Sequence, residues 1–303
     1  SFINLYCIDI KLIQLLPLAK SKLQTLNRKR TFILKTTIEK TVQSTELRLI
    51  IALALLLATA IFGPEVMQPR HQHDFADQRF LGYLPCAADV LSNLPFALWG
   101  FAGLVVVPKA KLSPGMAGLA VLFFAGLIIT AGASSWYHLQ PNNDGLAIDR
   151  LGMTVAFAGL LGLAAADRAS LRAGVILSGL TLALGSLSVW EWSNSGNVLP
   201  WLVLQFGGMA LILWMATRQP MPNAKGALAI RWGVVILIYA AAKVLELADH
   251  AVYDLTSQLI SGHSLKHIVA SFAAWPVISA LRTQVIFNND SATNNINFGA
   301  TRI

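Results

Sequence analysis

The sequence predicts an all-α fold: a polytopic transmembrane helix bundle with a seven-helix core and one extra span ahead of it. Three observations carry that expectation. The mean hydropathy is +0.59, only 13% of the 303 residues are charged, and apolar runs of bilayer length recur along most of the chain with short gaps. A soluble domain of this size carries more surface charge, whereas a helix crossing hydrocarbon needs about twenty apolar residues.

Taken in order, residues 1–46 form a basic tail with neither a signal-peptide layout nor a clean helical stripe. Its apolar stretch from Phe2 to Ala19 is interrupted by Asp9, Lys11 and Pro17, so poor order is expected. One transmembrane domain, residues 47–282, follows with spans expected over 47–63, 90–107, 116–137, 148–166, 173–190, 200–217, 229–247 and 265–281. The gaps hold helix breakers: Pro64, then Pro108 and Pro114, Pro141 with Gly145, Gly196, and Pro220 with Pro222. Residues 283–303 are a tail rich in Asn, Ser and Thr from 288 onward, without apolar period, and are expected to be disordered.

The formal net charge of +8 excludes little by itself, but its placement is informative. Lys11, Lys20, Lys22, Arg28, Lys29, Arg30, Lys35, Lys40 and Arg48 crowd the first fifty residues against Asp9, Glu39 and Glu46. Such a block reads as a cytoplasmic anchor, and with no aromatic-and-basic motif beside it nucleic acid is not expected. Cys7 and Cys86 lie too far apart to suggest a disulfide framework or a cysteine zinc site.

Basic residues then alternate sides. Lys109 and Lys111, Arg168 and Arg172, Arg218, Lys225 and Arg231, and Arg282 fall in the gaps on the side of the N-terminal block, which the positive-inside rule makes cytoplasmic. The opposite gaps lack Lys and Arg except for the loop holding Arg70 and Arg79, where Asp74 and Asp77 accompany them. All six histidines (His71, His73, His138, His250, His263 and His267) fall on or beside this second, periplasmic or lumenal side. Histidines gathered at the mouth of a helix bundle point to metal.

His263 and His267 are spaced i, i+4, so on a helix both imidazoles leave one face and can grip a single ion. Alone, the pair also fits two histidines bonded separately to backbone and headgroups. Ser134 and His138 repeat the spacing at the end of the third span, and a short turn through Pro141 and Gly145 leads to Asp149 at the start of the fourth. Antiparallel neighbours joined by so short a turn bring Ser134, His138 and Asp149 together, with Asp149 near the depth of His138. Asp149 also fits a helix-dipole partner or an ion-pair mate of Arg150. Three histidines and an open fourth position are what zinc needs for hydrolysis. Asp149 then suits a general base and acid, and the Ser134 hydroxyl suits holding a water or an oxyanion. Lys243 and Glu246, three apart, read as an intrahelical ion pair.

Four strings carry a family resemblance: Ser92-Asn93-Leu94-Pro95-Phe96; Ser134 with Tyr137-His138-Leu139 and Pro141; Asp149-Arg150; and Gly262-His263-Ser264-Leu265-Lys266-His267. Over residues 75–282 the chain resembles the alkaline ceramidase (alkaline phytoceramidase) family, within a superfamily of seven-helix membrane hydrolases that includes the progestin and adiponectin receptors. The resemblance implies zinc held by His138, His263 and His267, with Ser134 and Asp149 in the hydrolytic site. It further implies cleavage of the amide of a ceramide-like lipid taken from the bilayer, with no protein partner. Eukaryotic members carry an acidic, calcium-binding run before the first core helix. The corresponding stretch, residues 71–79, offers Asp74 and Asp77, with Asp89 beyond it, but departs from that pattern and leaves calcium without its motif. Two other classes fit the same outline: a seven-helix lipid receptor with a structural zinc, and a small transporter, for which no internal repeat is visible.

Overall fold

The computed structural model describes residue 28 and residues 39–220 and 228–300, with side chains up to Asn289. It contains two compact units, Ser1–Arg48 and Leu49–Ile303. Most of the tail expected over 1–46 lies outside the described residues; Glu39 to Arg48 are helical.

Seven described helices are long and apolar enough to cross a membrane, and the protein is an all-α, multi-pass membrane protein. The helix α1 is Glu39–Phe62. Helices α2 (Ala87–Leu91) and α3 (Leu94–Val106) together form the next span. Then come α4 (Pro114–Leu139), α5 (Asn143–Arg168) and α6 (Leu171–Ser195). Helices α7 (Leu199–Leu202) and α8 (Gly208–Ala216) are joined through a π-turn. The expected span over 229–247 appears as α9 (Trp232–Leu247), which at 16 residues is shorter than the others. After the short α10 (Asp249–Leu255), α11 (Gly262–Ser271) and α12 (Ala274–Ala300) make the last crossing.

Capping explains where these helices begin. The side chains of Ser113, Asn142, Ser170 and Ser261 accept hydrogen bonds from the backbone N–H groups of Met116, Gly145, Ala173 and Ser264, satisfying donors that have no partner within the helix. Two spans expected to be continuous are broken. The first is interrupted at Ser92–Asn93 because Pro95 has no N–H to continue the ladder. The last is interrupted between Ser271 and Ala274, ahead of Pro276, and its helical backbone runs past the end of the apolar period at Leu281 to Ala300.

Small residues set the central packing. A Cβ on Gly126 would lie 2.5 Å from the Ala156 nitrogen, and one on Gly159 would lie 2.3 Å from the Phe123 nitrogen. The α4 and α5 backbones therefore touch, as membrane helices do where close packing stands in for the hydrophobic effect. Leu98, Phe101, Leu213 and Leu237 are exposed, the arrangement that lipid contact permits. At the end of the fold carrying the α5–α6 turn, the buried Asp167 carboxylate accepts from the N–H groups of Ala229 and Ile230 and from Trp232 Nε1. Arg168 donates to the carbonyls of Arg218 and Ile230. These bonds fasten the segment before α9 to the end of α5, leaving the opposite end for the histidines.

Candidate metal centre

His138 stands in the last turn of α4 and is 1% exposed; His263 and His267, on one face of α11, are 7% and 6% exposed. Each offers a ring nitrogen, and these three atoms lie within 4.8 Å of one another. The Nε2 atoms of His138 and His263 are 3.2 Å apart. Two nitrogens at about 2.0–2.1 Å from a tetrahedral zinc are separated by roughly 3.3 Å, so this pair has the spacing of one tetrahedral edge. Among the described residues, this is the one group of three or more His, Cys, Asp or Glu whose ligand atoms converge in this way.

The protons around His267 fit the same role. Ser92 Oγ donates its hydrogen to the Asp89 carbonyl at 2.9 Å, so toward His267 Nδ1, also at 2.9 Å, it is placed to accept. Nδ1 then carries the proton and Nε2 presents its lone pair to the cluster. A ligating histidine typically has such a partner, which fixes its tautomer and ring direction. Ser92 is buried at the C-cap of α2. Three imidazoles with ring nitrogens converging on one centre fit zinc by donor type and count.

Other groups hold the ligands in place. The Asp249 carboxylate accepts the His263 N–H at 2.8 Å and the Ala76 N–H at 3.0 Å, tying the start of α11 to the loop before α2. That loop sets the buried Phe75 ring edge-on to His138 and His263, with centroids 4.7 and 4.4 Å away. Asp89 accepts from Ser264 Oγ at 2.6 Å and from Ser261 Oγ at 3.4 Å, joining α2 to α11. Glu246 on α9 pairs with Lys243, as expected, and also with Lys266 at 2.7 Å. This second ion pair anchors α11 at a point between its two histidines.

The Ser134 hydroxyl faces the Asp149 carboxyl group. Asp149 therefore meets α4 one turn beneath His138, about 5 Å deeper along the helix, rather than level with it. The difference follows from the three-residue turn, which sends α5 back past the last turn of α4 before Asp149 is reached. Asp149 Oδ1 is buried and has no hydrogen-bond partner among the described residues. Beside His263 opens a cavity of about 460 Å³ bordered by Phe75, Glu246 and Asp249.

The remaining candidates do not join this cluster. His73 bonds Tyr137 Oη and Asn143 Oδ1 at 2.8 and 3.0 Å, in keeping with a loop role. Asp77 holds Arg79 and Asp89 holds serines, so Asp74, Asp77 and Asp89 form no common cage among the described residues. Sequence reasoning missed Phe75, Asp89 and Asp249 as supports of the centre. Asp89 had a visible signal, being an acid at the start of a span and three residues before Ser92; Phe75 had none. No family model matches the chain, and no curated protein matches it.

Proposed function

We propose that this protein is a zinc-dependent membrane hydrolase of the alkaline ceramidase type. The reaction is cleavage of the amide of ceramide, or of a related N-acyl sphingoid lipid, to a fatty acid and a sphingoid base. The observation that supports it best is the convergence of three buried histidine nitrogens one turn from an aspartate whose Oδ1 has no partner among the described residues. A structural zinc site has no need of such a carboxylate.

His138, His263 and His267 would hold the ion; when bound, zinc supplies a Lewis acid that polarises a carbonyl and acidifies water. Amide hydrolysis also requires a proton to be taken from water and one to be given to the departing amine. Asp149 Oδ1 is the atom available for both transfers. Ser134 orients that carboxylate and offers a hydroxyl toward developing charge on the substrate oxygen. Phe75 keeps bulk water from the far side of the histidines, and the cavity beside His263 gives the polar part of an amphipathic lipid a route in. In this reading the N-terminus is cytoplasmic, the centre faces the periplasm or lumen, the substrate arrives from the bilayer, and neither nucleic acid nor a protein partner takes part.

The test is metal content and fatty acid release from a ceramide panel on the same detergent-purified samples of wild type, His263→Ala and Asp149→Asn. Wild type should hold one zinc, which His263→Ala loses. Asp149→Asn should keep the zinc while its rate falls about 10²–10⁴-fold. Wild-type protein without zinc defeats the proposal; zinc without fatty acid release from any ceramide moves the assignment to a lipid receptor of the same shape.

A further inference from the structure

On the side of the fold that carries the histidines, two turns outside the spans hold large apolar side chains away from the core. Phe80, Leu81 and Tyr83 ahead of α2, and Leu255 and Leu259 between α10 and α11, are each at least 65% exposed. The stretches that contain them, residues 80–88 and 255–262, have no charged residue, and Arg79 and Asp254 bound them. An exposed apolar surface of this kind marks a contact with something other than water.

Arg79 joins the two turns. Its Nη2 donates to the Leu259 carbonyl at 3.0 Å, its guanidinium carbon lies 5.5 Å from the Tyr253 ring centroid, and its charge is met by Asp77 at 2.6 Å. One of the two arginines that break the charge alternation of the loops is thereby explained. The backbone of both turns is closed as well. Leu81 and Leu84 exchange N–H···O bonds of 3.0 and 3.1 Å across a turn in which Gly82 has a φ of 61°, and the Ile260 carbonyl accepts from Thr256 Oγ1 at 2.8 Å. Peptide groups paired in this way can leave bulk water at little cost.

The level of these turns and the surface they continue indicate what covers them. The Ala87 N–H donates to the Arg79 carbonyl at 3.1 Å, so the first turn leaves and returns beside the first residue of the 24-residue span Ala87–Ala110. That length of helix is about 36 Å, against about 30 Å of hydrocarbon and about 40–45 Å of whole bilayer, which puts its ends in the headgroup layer. The second turn leads to Ser261, the N-cap of α11, and Ser261 and Ser264 both bond Asp89 in α2; the last crossing therefore starts beside the start of that span. From there Leu91, Leu94, Leu98 and Phe101, all exposed, carry the apolar surface along the span at intervals of three and four residues, which is one face of a helix. In a membrane protein that face meets lipid.

We propose that the two turns are one interfacial anchor: Phe80, Leu81, Tyr83, Leu255 and Leu259 enter the headgroup–acyl boundary of the leaflet on the histidine side, held as a unit by Arg79. The partner is the lipid surface itself, which needs no charge on the protein and accommodates the rings of Phe80 and Tyr83. By gripping the Leu259 carbonyl, Arg79 ties the start of α11, and with it His263, to the depth of the anchor. The anchor depends neither on zinc nor on the hydrolytic reading.

The experiment is spin labelling of the full chain, in a variant lacking the native cysteines, reconstituted into phosphatidylcholine vesicles. Collisions of the label with oxygen, which concentrates in lipid, are compared with collisions with a water-soluble nickel chelate. Labels on Tyr83→Cys and Leu255→Cys should favour oxygen several-fold more than a label on Asp144→Cys, an exposed position in the first turn of α5, and should approach the ratio found for Leu98→Cys on the lipid face. All four positions are exposed, so folding is not at issue. With both turns labelled, Arg79→Gln should broaden the distribution of distances between the labels at 83 and 255. Chelate contact at 83 and 255 equal to that at 144 overturns the proposal. Protection from both reagents also overturns it, in favour of a second copy or another protein over the patch, and an unchanged distance distribution in Arg79→Gln overturns the part assigned to Arg79.

Discussion

Ser92 shows how much one hydroxyl can decide. Its hydrogen goes to the Asp89 carbonyl and its oxygen lies 2.9 Å from His267 Nδ1, so removing it takes away a polar partner that favours one tautomer of the imidazole. Ser92→Ala should fold, because a small buried side chain is lost without opening a large void, yet hold zinc about 10–100-fold more weakly in competition with a chelator. Unchanged retention would mean that Ser92 does not orient the ring. A different electrostatic contact governs the loop ahead of α2. The Arg79 guanidinium, bonded twice to Asp77, holds the Asp77 carboxyl below the usual carboxylate range. A depressed folded pKa means that the contribution to stability is present above the unfolded value of about 3.9 and is lost as the pH falls through the lower, folded one. Wild type should therefore melt above Asp77→Asn at pH 7, with the gap narrowing as the pH falls below about 3.9.

At the scale of elements, the α4–α5 hairpin is what brings the candidate groups together. It presents Ser134 and His138 on one helix and Asp149 on the other, at a separation set by Gly126 and Gly159. A methyl at position 159 would sit 2.3 Å from a backbone nitrogen and 2.4 Å from the Phe123 Cα. Backbone cannot move aside as a side chain tip can. Gly159→Ala should cost about 1–3 kcal/mol through overpacking, outweighing a gain of up to about 1 kcal/mol in helix propensity, and should lower the rate by separating Asp149 from Ser134. Gly179 on α6 has open space around it, so Gly179→Ala is the control and should leave the rate unchanged and raise stability by up to about 1 kcal/mol. Thermal unfolding in detergent, with turnover on the same samples, distinguishes the two.

For the whole molecule, the spans leave two sets of turns. The α4–α5 and α6–α7 turns accompany the histidines, while the α5–α6 turn carries Arg168 and Arg172. The positive-inside rule then assigns the second set to the cytoplasm. In sealed, right-side-out vesicles of a variant lacking the native cysteines, Ser193→Cys should react with a membrane-impermeant thiol reagent, and Arg172→Cys only after the membrane is opened. The reverse pattern would place the histidine centre on the cytoplasmic face and undo the proposed route for substrate.

The sequence alone determined that the chain is an all-α membrane protein and where most spans lie, because hydropathy and breakers such as Pro141 and Gly196 act over a few neighbouring residues. It also singled out His138, His263 and His267, because i, i+4 spacing and a short turn are local geometry too. The breaks at Ser92–Asn93 and after Ser271 were less legible, since a proline inside an apolar run can kink a helix or end it, and packing chooses. Only the tertiary structure decided that His138 on α4 meets His263 on α11, that Asp149 faces Ser134 rather than lying level with His138, and that Phe75, Asp89 and Asp249 surround the centre. Those contacts join residues up to 188 positions apart, and no periodicity reports them. Arg150 is the clearest case: in the sequence it is the neighbour of an aspartate, and in the fold it stacks on Trp192 with one edge of its guanidinium unpartnered, because the helix turns successive side chains about 100° apart.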